Sequence, residues 1–133
     1  MAPNKSVLAF RKLTVDMQRD IFNDAVAELD SQADNLVQTM RGVVVQGPTS
    51  NLANSIRKEQ GKKETVVVVR AGGRTTTVGS GGRSYDYARS VEFGTVKTPS
   101  QPFFFPTYRL MKKKIRSAMR RKITKTIKKY SAE

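Results

Sequence analysis

Histidine, cysteine and tryptophan are all missing from this chain of 133 residues. Without cysteine there is no disulfide framework and no thiolate-ligated zinc or iron–sulfur centre. Without either cysteine or histidine, the chain has no Ser–His or Cys–His nucleophilic pair and no imidazole metal ligand. Most common enzyme mechanisms are thereby excluded, and the sequence is read as non-enzymatic, with no cofactor. Long apolar runs are absent too. Val7–Phe10, Val43–Val45, Val66–Val69 and Phe103–Phe105 are three or four residues each, against about 20 for a spanning helix and about 7–15 for a signal-peptide core. No membrane contact is expected. A soluble chain made where reducing conditions are tolerated is.

What is there is one domain's length of sequence, 38% apolar and 27% charged, enough to bury a core. Basic residues outnumber acidic ones by 25 to 11, and the excess is local. Residues 1–60 carry 7 basic and 7 acidic side chains, residues 61–96 carry 6 and 3, and residues 97–133 carry 12 and 1. The net charge of +14 therefore marks one C-terminal element rather than the whole surface.

Periodicity divides the chain into elements of a single α+β domain covering residues 1–133. Leu13, Met17, Ile21, Ala25, Leu29, Ala33, Leu36 and Met40 fall in steps of three or four and predict a long amphipathic helix over about 14–41, with Thr14 as its cap. Its other face carries Asp16, Asp20, Asp24, Glu28, Asp30 and Asp34, most simply a solvated face and otherwise a surface for a basic partner. A short helix with Leu52 and Ile56 four apart, capped by Ser50 or Asn51, and a small antiparallel sheet follow over about 50–80. The run Glu64–Arg70 reads as a strand buried on both faces or at an interface, and Arg74–Val78 as its return across a Gly72-Gly73 turn. Residues 60–63 read as a loop. Glycines of this region match no phosphate-loop pattern in the required strand–loop–helix context. Tyr85–Phe93 suits a short helix stopped by Gly94.

The last helix is predicted over about 106–130, with Pro106 in its first turn. Met111, Ile115, Met119, Ile123 and Ile127 form a narrow stripe beside Leu110 and Ala118. Eleven basic residues and no acidic one lie between Arg109 and Lys129. Like charges at i,i+4 repel, so such one-sided charge calls for an anionic partner. Phosphates of a nucleic acid, an acidic protein surface (a neighbouring copy's acidic helix included) and an anionic membrane all satisfy that need. The membrane is least favoured, because the apolar face lacks aromatics until Tyr130.

One stretch is more specific. Tyr87-Ala88-Arg89-Ser90-Val91-Glu92-Phe93-Gly94-Thr95 is followed by Gln101-Pro102-Phe103-Phe104-Phe105-Pro106. The two blocks resemble the YA-x-x-VEFGT and QPF-x-x-P blocks of the tail-completion, or head–tail joining (neck), proteins of siphophages. Upstream, Pro48–Ile56 is similar to that family's P-x-x-T-G-x-L-x-x-S-I element, except that Ser50 stands in the neighbourhood of the glycine. The resemblance spans about residues 45–111. It implies a structural virion protein, assembled in the host cytoplasm, that forms a ring, expected to be a hexamer, between the head's connector or stopper and the tail terminator, with genome DNA passing through.

The residues themselves agree with an assembly role. Phe103-Phe104-Phe105 between prolines is too apolar for an exposed loop, so either one ring enters the core and another meets a neighbouring subunit, or all three pack within their own domain. Tyr87, Val91, Glu92, Phe93, Gly94, Pro102, Phe103, Phe104, Phe105 and Pro106 are the candidate interface and signature residues. Glu92 reads as a partner for an arginine or a cap for backbone N–H groups, rather than a catalyst. Asp86 and Glu92 are too few for a metal site. Lys112, Lys113, Arg116, Arg120 and Lys128 are the candidate contacts to DNA or an acidic partner. The competing readings are a stand-alone basic DNA- or RNA-binding protein and a tail terminator or minor tail protein.

Overall fold

In the computed structural model, residues 4–44, 50–79, 82 and 84–131 are described. The chain is α+β: a long N-terminal helix, two small antiparallel sheets, short helices and a long C-terminal helix. Helix α1 runs Lys5–Val43, nine residues earlier than the periodicity predicts, and its cap is Asn4, whose Oδ1 accepts the Val7 N–H at 2.9 Å. Thr14 lies inside the helix and donates its hydroxyl to the Phe10 carbonyl at 2.9 Å. Nothing between Lys5 and Leu13 stops a helix, since neither glycine nor proline occurs there. A threonine that bonds back four residues is compatible with helix interior.

Helix α2 (Asn51–Ser55) opens at Ser50, which sits in the left-handed region with φ 55° and ψ 18° and makes no side-chain cap bond. Neither Ser50 nor Asn51 caps as predicted; the Asn51 amide reaches the Thr75 carbonyl instead, at 3.2 Å. Ser50 thus holds the backbone conformation that glycine adopts freely. The segment Pro48–Thr49 lies outside the described residues, as do Ser80, Gly81 and Arg83 of the second glycine-rich loop.

The hairpin differs from its prediction. Strand β2 is Val67–Arg70, and it pairs antiparallel with an upstream strand β1, Arg57–Gln60, in the register Arg57↔Arg70 to Gln60↔Val67. Residues 61–66 form the turn, closed by Gly61 N–H on the Val66 carbonyl at 2.9 Å. The strand Arg57–Gln60 contains no apolar residue, so hydrophobic pattern is silent there. Its charges pair it instead. On the outer face Glu59 takes Arg57 at 3.0 Å and Arg70 at 2.8 Å, and on the inner face Lys58 reaches Asp30 and Asp34 of α1 at 2.7 and 2.9 Å. The valine run is half-buried: Val67 and Val69 face α1, while Val66 is exposed.

Arg74–Thr76 is a 3-10 turn rather than part of a return strand. Strand β3 (Thr77–Val78) pairs with β4 (Tyr85–Asp86), a pair of residues predicted as helix. Helix α3 is therefore Tyr87–Phe93, capped by Asp86 Oδ1 on the Ala88 N–H at 2.9 Å. It ends at Gly94, whose φ of 79° places a Cβ 2.7 Å from the Ser100 nitrogen. Only glycine fits there. Helix α4, Phe105–Ser131, returns antiparallel along α1, with Thr126 donating to Asp24 at 2.6 Å and Tyr130 to Asp20.

The core lies where the C-terminal half of α1 meets everything else. Leu36, Val37, Met40, Val44, Leu52, Ile56, Ala88 and Phe103 are buried together, with Tyr87, Val91, Met111 and Ile115 packed against them. Arg41 ties the end of α1 to α2 by donating Nε and Nη2 to the Ile56 carbonyl at 3.1 and 2.6 Å.

Candidate interface surfaces

The two signature blocks form one interlocked joint. Glu92, on α3, is 7% exposed and accepts the backbone N–H groups of Phe103, Phe104 and Phe105, each at 2.9 Å. These are donors at the start of α4, where a helix has no carbonyls of its own to satisfy them and where negative charge is favoured. The Gln101 N–H closes onto the Val91 carbonyl at 2.8 Å, and Gly94 makes the reversal between the blocks. The role of Glu92 is capping. Its Oε2 accepts two of these N–H groups and its Oε1 the third, and Asp86 is likewise engaged by the N–H groups of Gly73 and Ala88 and by the Thr76 hydroxyl. Among the described residues, no group of three or more carboxylates is placed to hold a metal ion.

The phenylalanines divide by exposure. Phe103 is 1% exposed and central to the core, Phe104 is half-buried, and Phe105 is 45% exposed. Phe105 stacks on Phe93, itself 63% exposed, with ring centroids 5.9 Å apart. Tyr87, Val91, Gly94 and Pro106 are half-buried, and Pro102 is exposed. Of the candidate interface residues, then, Phe93, Pro102 and Phe105 are at the surface, and the others hold this chain's own joint.

The Gly72 and Gly73 amides do not form a phosphate cradle. Gly72 donates to Ser55 Oγ at 3.0 Å and Gly73 to Asp86 Oδ2 at 2.9 Å, so the chain's own oxygens use them.

Helix α4 presents the other surface. Lys112, Lys113, Arg116, Arg120 and Lys128 are all exposed. At about 100° per residue, Lys112, Arg116 and Arg120 align along the outward side with Lys113 beside them, and Lys128 sits further round. Arg109, Lys114, Arg121, Lys125 and Lys129 are equally exposed and were not distinguished by sequence; only Lys122 is half-buried. The inward side is Thr107, Met111, Ile115, Ala118, Ile123 and Thr126. Thr126 is buried beside Asp24, whereas Leu110 and Ile127 of the predicted stripe are 84% and 41% exposed. A contact stripe drifts round a straight helix, so a strict four-residue spacing leaves the interface after two or three turns.

Among the described residues, no ion pair involves α4. The acidic face of α1 is solvated in part, with Asp30 and Asp34 exposed and Asp16, Asp20, Asp24 and Glu28 half-buried, and its carboxylates have partners within the chain. Asp16 pairs with Arg19 at 3.3 Å, Glu28 accepts from Gln32 at 3.0 Å, Asp20 and Asp24 take hydroxyls of α4, and Asp30 and Asp34 hold Lys58. Bonding to Asp30 and then Asp34 raises the Lys58 ammonium above its usual pKa. The Arg57 and Arg70 guanidiniums lower Glu59. The carboxylates of α1 thus have hydrogen-bond or ion-pair partners within the chain, while the cations of α4 make no ion pair among the described residues. No helix among the described residues is long and apolar enough to cross a membrane.

Compared with known proteins, the chain matches no family model, no curated protein and no solved structure.

Proposed function

We propose that this chain is a structural ring component of a siphophage neck, completing the tail and joining it to the head while genome DNA passes through the ring. The observation that carries the proposal is the outward face of α4, a surface of basic side chains that makes no ion pair among the described residues. Because α1 spends its carboxylates within the chain, a nucleic-acid backbone suits that face better than the acidic helix of another copy. The resemblance of Tyr87–Thr95 and Gln101–Pro106 to the neck-protein blocks supplies the setting.

A lumen must let DNA slide, so only some of these cations face it, and Lys112, Lys113, Arg116, Arg120 and Lys128 are the residues assigned to that contact. Deleting the gene from its phage is expected to leave full heads beside unattached tails under negative-stain microscopy; intact virions would overturn the proposal. Charge reversal at the five positions is expected to shift the position of the DNA end in the neck or to block joining. Normal joining with an unmoved DNA end removes the DNA contact.

The same basic face favours a second reading, a stand-alone DNA- or RNA-binding protein. That reading requires tight binding by the monomer, with log K falling by about 0.9 per log unit of salt for each phosphate neutralised. A monomer that binds duplex in this way while virions assemble normally without it would replace the neck proposal.

A further inference from the structure

Among the described residues, no element covers the first three turns of α1. The hydrogen bond between the two long helices that lies furthest toward the start of α1 is Tyr130 on Asp20, and α4 ends one residue later at Ser131. Helix α1 continues from there back to Lys5, about 20 Å further at 1.5 Å per residue. Every residue from Asn4 to Leu13 is exposed. Yet this projection is apolar: Leu8 is 50%, Phe10 69%, Leu13 42% and Val15 60% exposed. Phe10, Leu13 and Met17, at i, i+3 and i+7, continue the same side of α1 that packs on α4 further along. An apolar stripe has outrun the helix that covers it, and such a stripe is a docking element.

The chain also carries the complementary feature. An open groove of about 360 Å³ lies between the far end of α1, β2 and the start of α4, walled by Leu29, Ala33, Val67, Phe104, Tyr108 and Ile115. Val67 borders a second groove of about 340 Å³ whose walls include Val26, Asp30 and Glu64. The projection bears Lys5, Arg11 and Lys12 and no acid before Asp16, so its charge opposes that of Glu64, whereas Asp30 is already held by Lys58.

We infer that the N-terminal projection of α1 docks, by the side bearing Phe10 and Leu13, in the apolar groove of a second copy. Knob and groove are different surfaces at different ends of one chain, so the contact is head-to-tail. Contacts of that type close into rings or run on as filaments, whereas self-matching patches stop at a dimer. This contact would build the ring that the neck proposal needs, but it is read on the purified protein, so the two stand or fall by different experiments.

The test is sedimentation analysis of the full-length protein, with circular dichroism to show that each variant keeps its helices. Wild-type protein is expected as an oligomer, and Phe10→Asp and Tyr108→Asp each as monomers. Mixing the two variants is the deciding step. Tyr108→Asp keeps an intact projection and Phe10→Asp an intact groove, so the mixture is expected to give a one-to-one heterodimer that grows no further. Because the chain has no cysteine, a mixture of Leu13→Cys with Ala33→Cys protein provides a second reading: oxidation is expected to cross-link the two chains. A monomeric wild type overturns the inference, as does a Tyr108→Asp variant that still assembles like wild type. A mixture that stays monomeric overturns it as well.

Discussion

Glu92 shows how much one side chain holds at the scale of a residue. Three buried or half-buried N–H groups depend on one carboxylate, and each buried donor left unpaired costs about 1–3 kcal/mol. Glu92→Ala is expected to destabilise by about 3 kcal/mol and Glu92→Gln, which keeps one acceptor oxygen, by about half that; urea unfolding midpoints measure both. Ser50 offers the opposite change. Left-handed backbone costs a non-glycine residue about 1–2 kcal/mol, and glycine returns part of that through its freer unfolded chain. Ser50→Gly is expected to stabilise by about 0.5 kcal/mol in the same assay. The sequence block Val91–Thr95 announces a turn and a carboxylate inside an apolar run, which is enough to suggest a cap for Glu92. It does not say which N–H groups are capped, because they lie eleven to thirteen residues away. The left-handed state of Ser50 has no sequence signal other than a missing glycine.

Among the elements, the two long helices are legible in outline because a 3.6-residue period needs no partner to be seen. Their contacts are not. Asp20 and Asp24 look like surface acids, and Thr126 and Tyr130 like ordinary members of a basic helix, until the antiparallel return places them together. That contact has a pH signature. Hydrogen bonding to Asp20 pushes the Tyr130 phenol up to about 12, and the phenol in turn lowers Asp20. A raised phenol pKa contributes stability that is complete below the unfolded value near 10 and is lost as the pH rises through about 12. Asp20 contributes above its usual 3.8 and loses that contribution as the pH falls below it. Tyr130→Phe is therefore expected to remove part of the stability loss between about pH 10 and 12, measured by urea midpoints across that range. The strand Arg57–Gln60 was illegible for a different reason. Its pairing rests on Lys58, Glu59 and their distant partners, and charges carry no period.

Across the whole molecule, the arrangement of charge matters more than its sum. The acids of α1 have partners within the chain and the cations of α4 make no ion pair among the described residues, so the net +14 acts mainly as repulsion along one helix and between copies. Screening shortens from about 10 Å at 0.1 M salt to about 3 Å at 1 M. The melting temperature is accordingly expected to rise with sodium chloride over that range, followed by circular dichroism at 222 nm on the α4 helix content; a protein held up by its surface ion pairs would melt earlier instead. If copies associate through the apolar projection, the same salt also strengthens assembly.

The amino-acid sequence determined that the chain has no imidazole or thiol chemistry, that it contains two long amphipathic helices, and that most of its excess positive charge lies on the second of them. Those properties are local: they follow from residue type and from spacing along one segment. Tertiary structure decided which strand β2 pairs with, that the acids of α1 are consumed by Lys58 and by the hydroxyls of α4, and that α1 overshoots its partner by three turns. Each of these depends on where one helix ends relative to another, a distance that no single segment encodes. The charge excess that locates α4 in the sequence became an exposed face only because the fold turned the helix's threonines and short apolar residues inward.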